Sequence, residues 1–473
     1  MKSNALTVGR RWVHQSLRRG LALLPRETRF ALYRQLVRCE PEPGGDLELK
    51  IAETAGELEA CFRLLHDAYV ASGFMQPDPS GLRVTIWHAL PTTTTVCAKV
   101  RGEVVGTLSM VREGVFGLPM SSAFDLEPVR ALPGQVAEIS ALAVRRDYRR
   151  TGGTILFPLM KYMYEYCTQY FDTRHLVIAV NPNKVELYES LLFFRRLQAQ
   201  VIERYAFANG APAVGATLDL AAAPAQFERV YRGRRARQDL HHYFTRSRLP
   251  QLKMPPRHYF TTNDPVMTPA LLDLFFNRRT RVFASLDARQ RRLLHSIYDL
   301  PGYREVLPPL GPEAAAASGQ VARHQRHSIR CPGWITLDGS RRPLNLLEIS
   351  LGGALVDLGA QQLPLQAAGE LTVWLGQGLA SQVPARVVRH AASGYWGLAV
   401  DAPDAAWREC VARLEAGGTY RELAPAPGPS AGAAGLPPAA AAAGPAPGGT
   451  VAGTVTGAAP APAGSAAASA AAA

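Results

Sequence analysis

The polarity pattern of the chain changes period sharply around position 150. Glu138-Ile139-Ser140-Ala141-Leu142-Ala143-Val144 is an apolar run with strand character and one embedded carboxylate. Beyond it, Ile155, Leu156, Leu159 and Met163 recur at helical spacing and predict an amphipathic helix to about Phe171. Further strands are predicted over Val104–Val111, reached by a turn at Arg101-Gly102-Glu103, and over Leu176–Val180. Residues 206–317 mix helical pieces (Gln226–Gln238, Thr268–Phe276, Asp287–Ile297) with Pro-rich turns. They read as a helical extension that either completes the first unit or stands apart as a linker. From 318 to 420 the pattern becomes short strands at Gly333–Leu337, Asn345–Ile349, Ala354–Asp357, Glu370–Leu375, Ala385–Arg389 and Trp396–Val400, which predict a small β-barrel. Residues 421–473 are dominated by Ala, Pro and Gly; they bury too little to offset their ordering entropy and predict disorder.

Between the carboxylate-bearing strand and the helix lie Arg145-Arg146-Asp147-Tyr148-Arg149-Arg150 and a Gly152-Gly153 turn. A glycine turn that opens a helix presents free backbone N–H groups and the positive end of the helix dipole, a site for a phosphate or pyrophosphate arm. The arginines add charge-assisted contacts. A carboxylate beside such a turn is what a transferase using a pantetheine-linked acyl thioester needs.

This arrangement resembles the GNAT acyltransferase superfamily, whose loop carries Arg/Gln-x-x-Gly-x-Gly/Ala; here Arg149-Arg150-Thr151-Gly152-Gly153-Thr154 stands in that place, with Thr154 as the last residue. Asn181-Pro182-Asn183-Lys184-Val185-Glu186-Leu187-Tyr188, followed by Leu191, Leu192, Phe193 and Phe194, is similar to the superfamily's helix bearing an Asn and a Tyr. Within GNAT the likeness is to the branch of acyl-homoserine-lactone synthases and N-acyl amino acid synthases. It rests on the Glu138-Ile139-Ser140 strand, on Asp67-Ala68-Tyr69-Val70 with Gly73-Phe74, and on Gly117-Leu118-Pro119-Met120 with Phe124. Ala141 stands where that branch often has Arg. The resemblance implies a mixed α/β sheet flanked by helices over 46–205. It also implies transfer of an acyl chain from acyl carrier protein or coenzyme A to the amine of an amino acid. Glu138 is then the general base, Tyr188 the proton donor to the leaving thiolate, and a backbone N–H of Leu142, Ala143 or Val144 the oxyanion contact. Arg149, Arg150, Gly152, Gly153 and Thr154 would hold the phosphopantetheine phosphate, while Arg145, Arg146 and Lys161 would meet the acidic carrier protein.

In the C-terminal unit Arg326-x-x-x-Arg330 is followed by Glu348-Ile349-Ser350-Leu351-Gly352-Gly353. The pair resembles the PilZ domain, a bacterial cyclic di-GMP receptor whose signature is Arg-x-x-x-Arg and then Asp/Asn-x-Ser-x-x-Gly. By that resemblance Arg326 and Arg330 clamp the dinucleotide, with Glu348 (in place of Asp/Asn), Ser350 and Gly353 on the barrel.

Length and charge fit this two-part reading. A chain of 473 residues exceeds one typical domain, and Lys+Arg 52 against Asp+Glu 39, net +13, suits acidic partners: nucleic acid, an anionic membrane or an acidic carrier protein, of which a nucleic-acid polymer is not expected here. Six cysteines without a CxxC pair indicate neither zinc nor a disulfide framework and fit a reducing cytoplasm. The adjacent His241-His242 point about 100° apart on a helix and do not suggest a metal site. Residues 1–45 carry basic side chains from Lys2 to Arg38, with Val13, Leu17, Leu21 and Leu24 at helical spacing. Such a segment either lies peripherally on an anionic membrane, through residues 1–38, or packs on the enzyme domain. Two other functions compete: a homoserine-lactone-type signal synthase, and a non-enzymatic cyclic di-GMP effector with a degenerate acyltransferase module.

Overall fold

The computed structural model describes residues 24–415 except 115, 133, 150–152, 171–172, 256–266, 299–300, 311–325, 360, 377 and 391–394. The expectations for residues 1–23, for the 421–473 tail and for Arg150 and Gly152 lie outside the described residues.

A short helix α1 (Arg26–Gln35) precedes β1 (Leu47–Ile51), α2 (Ala55–Ala71), β2 (Thr93–Val100), β3 (Glu103–Arg112), β4 (Gln135–Val144), α3 (Leu156–Tyr170), β5 (Thr173–Val180) and α4 (Pro182–Leu192). The short strands β6 (Arg195–Arg196) and β7 (Ile202–Tyr205) then lead to β8 (Ala211–Asp219), α5 (Ala223–Tyr231) and α6 (Leu240–Thr245). The strands form one sheet in the order β1-β2-β3-β4-β5-β8-β6, with β7 pairing on β8. Only β4 and β5 run parallel; every other pair is antiparallel. This is the GNAT fold.

The sheet reaches past residue 205, the expected end of the core, because β5 needs β8 to satisfy its second edge. Leu159, Tyr162, Met163, Tyr166 and Cys167 of α3 form the centre of the core on one face of the sheet, closed by Phe227 of α5 and Phe244 of α6. On the other face α2, opened by a Thr54–Glu57 capping box, packs with Met267, Leu272, Phe275, Phe276, Phe283 and Leu294. Residues from the extension thus belong to both layers over the sheet. One of its helices, α7 (Ala288–Ile297), starts at an Asp287 capping box, one residue after the Asp287 expected to open it.

Helix α1 spends its basic side chains on α4: Arg26 pairs with Glu189 and Arg29 with Glu186, and Arg34 donates to the Ser190 carbonyl. Those arginines therefore face the first domain. No helix among the described residues is long and apolar enough to cross a membrane.

The C-terminal unit comprises β9 (His327–Leu337), β10 (Ser340–Ser350), β11 (Gly353–Asp357), β12 (Ala368–Gly376), β13 (Leu379–His390), β14 (Tyr395–Val400) and α8 (Ala405–Glu415). Its strands close into a barrel in the order β10-β11-β14-β13-β12-β9. Helix α8, not expected from the sequence, buries Trp407, Cys410, Val411 and Leu414 against the barrel, and the Trp407 indole N–H donates to the Ser350 carbonyl at 2.9 Å. All six cysteines are free and buried, and among the described residues no His, Cys, Asp and Glu cluster could hold a metal.

Candidate active site and nucleotide site

Strands β4 and β5 pair only from Gln135 to Glu138, where Glu138 meets Val177. Beyond that point they part. The gap opens into a cavity of about 240 Å³ with Ile139, Ser140, Ala141 and Leu142 on one side and Ile178, Ala179 and Val180 on the other. The rest of its wall is mostly apolar, with Met160 and Met163 from α3, Leu192 at the end of α4, Phe194 just after it, and Phe227 and Phe244 from α5 and α6, alongside Tyr69, Tyr164, Tyr188 and Thr245.

Glu138 sits where the strands part, 1% exposed, its Oε2 accepting the Met120 backbone N–H at 2.8 Å. Burial pushes its carboxyl up to about 8, against the opposing pull of the Met120 hydrogen bond. Met120 was missed as a partner, although the Gly117-Leu118-Pro119-Met120 likeness marks the loop that delivers it.

One turn along, β4 carries a β-bulge. Thr107 faces Ala143 and Ser109 faces Ser140, so two residues of β4 oppose Leu108 alone, with Ala141 in the left-handed region at φ +54°. A bulge takes backbone groups out of the ladder and re-aims them, here beside the cavity, next to Leu142, Ala143 and Val144. Tyr188 lines the same cavity, edge-on to the Phe194 ring, and its apolar surroundings push the phenol up to about 12.

After β4, Arg149 donates to the Val144 carbonyl at 2.6 Å and Arg145 pairs with Glu103 and Asp147. Arg146 and Arg149 are exposed. Gly153 adopts φ +93°, and a Cβ there would come within 2.5 Å of the Phe157 ring, so this turn accepts only glycine. Thr154 follows it at the mouth of α3. Lys161 corrects the expectation placed on it: only 1% exposed, it cannot meet a carrier protein. Its ammonium pairs with Glu165 at 2.8 Å, donates to the Phe244 carbonyl at 3.2 Å and faces the Tyr243 ring. It fastens α6 to α3, because α3 is covered by the sheet on one side and by α6 on the other.

In the barrel, two residues of β9 (Ile329 and Arg330) oppose Leu347 of β10, with Glu348 resuming the register against Ser328. This bulge puts Glu348 beside the arginine arm: the Arg326 guanidinium lies 3.6 Å from its carboxylate. The Ser350 hydroxyl donates to the Gly353 carbonyl at 3.2 Å, and a Cβ on Gly353 would approach the Leu398 carbonyl to 2.9 Å. His327, at the start of β9, is buried with Nε2 unpartnered, and burial pulls its imidazole down to about 4.

Residues 60–219 match the family model of the N-acyl amino acid synthase FeeM, and residues 320–416 match that of the PilZ domain. The chain joins a FeeM-family acyltransferase domain to a PilZ domain. Solved structures similar to the acyltransferase domain include FeeM, an N-acyl amino acid synthase from uncultured soil microbes (24% identity, TM-score 0.32, covering 38% of this chain and 94% of that one). A CoA-dependent acyl-homoserine lactone synthase is 22% identical at TM-score 0.31 over 45% of this chain and 95% of that one. A ribosomal-protein-S5-alanine acetyltransferase from Vibrio fischeri is 9% identical at TM-score 0.28, over 40% and 98% of the two chains. No curated protein matches. The FeeM-family match ends at 219, so Phe227 and Phe244 wall the cavity of this FeeM-type domain from outside the matched segment.

Proposed function

We propose that the protein transfers a long acyl chain from a phosphopantetheine thioester, on acyl carrier protein or coenzyme A, to the amine of an amino acid, under control of cyclic di-GMP bound at the PilZ domain. The observation that carries the catalytic half is Glu138: a buried carboxyl, raised in pKa, at the point where two parallel strands part around an apolar cavity. Glu138 takes a proton from the acceptor's ammonium, and the free amine attacks the thioester carbonyl. The oxyanion forms against a backbone N–H of the bulged Leu142–Val144 segment, and Tyr188 returns a proton to the leaving thiolate. The apolar cavity takes the acyl chain. Gly153, Thr154 and Arg149, with Arg150 and Gly152, hold the phosphate, and Arg145 and Arg146 face the carrier.

A carboxyl that ionises near 8 is ready to accept a proton at slightly alkaline pH and is about one-tenth ionised at pH 7. Activity should therefore rise towards pH 8 on a limb that Glu138→Gln removes, along with roughly 10²–10⁴-fold of turnover. The deciding experiment supplies acyl carrier protein and coenzyme A thioesters with the twenty amino acids and identifies the N-acyl product by mass spectrometry. A folded Glu138→Gln variant that turns over like wild type would remove Glu138 from this role. For the PilZ domain, cyclic di-GMP binding to Arg326, Arg330, Glu348, Ser350 and Gly353 is supported by the arm and the acid lying within contact of one another.

A further inference from the structure

Arg83, in the loop after α2, has 9% of its surface exposed. Its guanidinium donates to the Phe207 carbonyl at 2.5 Å, stacks 3.9 Å from the Tyr69 ring and lies 5.5 Å from the Phe207 ring. Among the described residues no carboxylate pairs with it. A guanidinium has five donors and keeps its charge at any accessible pH, and arginines this buried are nearly always paired with an anion. One carbonyl and two aromatic faces leave most of those donors unused.

A second feature lies beside it. The Tyr205 phenol is buried with no hydrogen-bond partner, and Glu138, Tyr69 and Arg83 all act electrostatically on it. A buried hydroxyl without a partner calls for an explanation such as a ligand. Tyr69 also lines the cavity between the parted strands β4 and β5. The Tyr205 phenol feels both the Glu138 carboxyl and the Arg83 guanidinium, so it lies near each of them. The cluster therefore offers a proton acceptor in Glu138 and an uncompensated cation in Arg83, the latter joined to the cavity wall through Tyr69. Ala141, on the bulge, supplies no competing charge.

We propose that Arg83 receives the α-carboxylate of the acceptor amino acid, with the Tyr205 phenol donating to the same group, so that the enzyme selects free amino acids over their amides and over simple amines. This rests on the acyl-transfer reading above. Arg83 fixes the carboxylate end of the acceptor, which aims its amine at Glu138 and at the thioester.

The test is calorimetry on the full chain with N-dodecanoylglycine and its neutral isostere N-dodecanoylglycinamide. Wild type should bind the acid roughly 10- to 100-fold more tightly than the amide, the range of a charge-assisted contact. Arg83→Gln should bring the two affinities together by weakening the acid alone. Equal binding of acid and amide by wild type, or an undiminished preference in Arg83→Gln, would overturn the assignment while leaving acyl transfer standing. Binding of neither compound by wild type would bring down the acyl-transfer reading and the assignment with it. Should Arg83→Gln fail to fold, Arg83→Lys retains the charge and loses the planar fork: the acid should weaken several-fold and the amide should not, and unchanged binding of the acid would overturn the proposal. Tyr205→Phe should likewise weaken the acid more than the amide.

Discussion

Replacing Glu138 by Gln should damage catalysis and stabilise the fold, and the second effect can be worked out in advance. The carboxyl titrates near its ordinary 4.5 when the chain is unfolded and near 8 when folded, because burial disfavours the charged form. The folded state thus holds the proton more tightly. Stability from this group is fully present below the unfolded value and is lost as pH rises towards the folded one, at about 1.4 kcal/mol per pH unit. Between pH 5 and pH 8 the loss sums to roughly 3–4 kcal/mol. Gln keeps an oxygen for the Met120 N–H and cannot ionise. Its packing penalty is the same at every pH, and all other titrating groups are common to both proteins. The difference in unfolding free energy between Glu138→Gln and wild type should therefore grow by roughly 3–4 kcal/mol from pH 5 to pH 8. Urea unfolding of both proteins at pH 5, 6, 7 and 8 measures it directly. A difference that stays constant with pH would mean that Glu138 is not held protonated by burial, and the catalytic argument built on its raised pKa would go with it.

Three further outcomes are expected. Phe227→Val opens the far wall of the cavity and should move donor preference towards longer acyl chains, read by competing thioesters of graded length; an unchanged profile would show that the chain runs elsewhere. Arg326→Ala should abolish cyclic di-GMP binding without lowering basal acyl transfer, and Glu348→Asp, which draws the carboxylate back from Arg326, should preserve or tighten binding, both measured by calorimetry. The buried imidazole of His327, pulled from 6.5 down to about 4, supports the barrel above pH 6.5 and withdraws that support as pH falls towards 4, a loss of about 3 kcal/mol that His327→Phe should remove from acid-unfolding curves.

Much of the acyltransferase was legible because its signals are local. A lone carboxylate in an apolar strand marked Glu138, a glycine turn opening a helix marked Gly153, and regular short strands marked the barrel. What escaped depends on distant partners. Arg83 reads as a surface cation until Tyr69, Tyr205 and Phe207 surround it, and the last two lie more than a hundred residues further along the chain. Lys161 was misassigned for a related reason: helical periodicity shows which face of α3 meets the sheet but not that α6 covers the other. Phe227 lay in the expected helical piece Gln226–Gln238, but nothing local to that stretch showed that it and Phe244 would wall the cavity. Helix α8 was hidden by the shift from strand to helix in the last few residues before the low-complexity tail.

The burial of every cysteine has an experimental use. Thiols react as thiolates, and burial holds those of Cys39, Cys167 and Cys410 up at about 12. Native thiols should therefore stay silent towards maleimides. Cysteines introduced at Leu132 on the acyltransferase and Leu365 on the barrel, both more than half exposed, would take a donor and an acceptor dye in an otherwise unaltered background. The chain comes ready for single-molecule energy transfer, so the spacing of its two domains can be followed in real time as the dinucleotide is added.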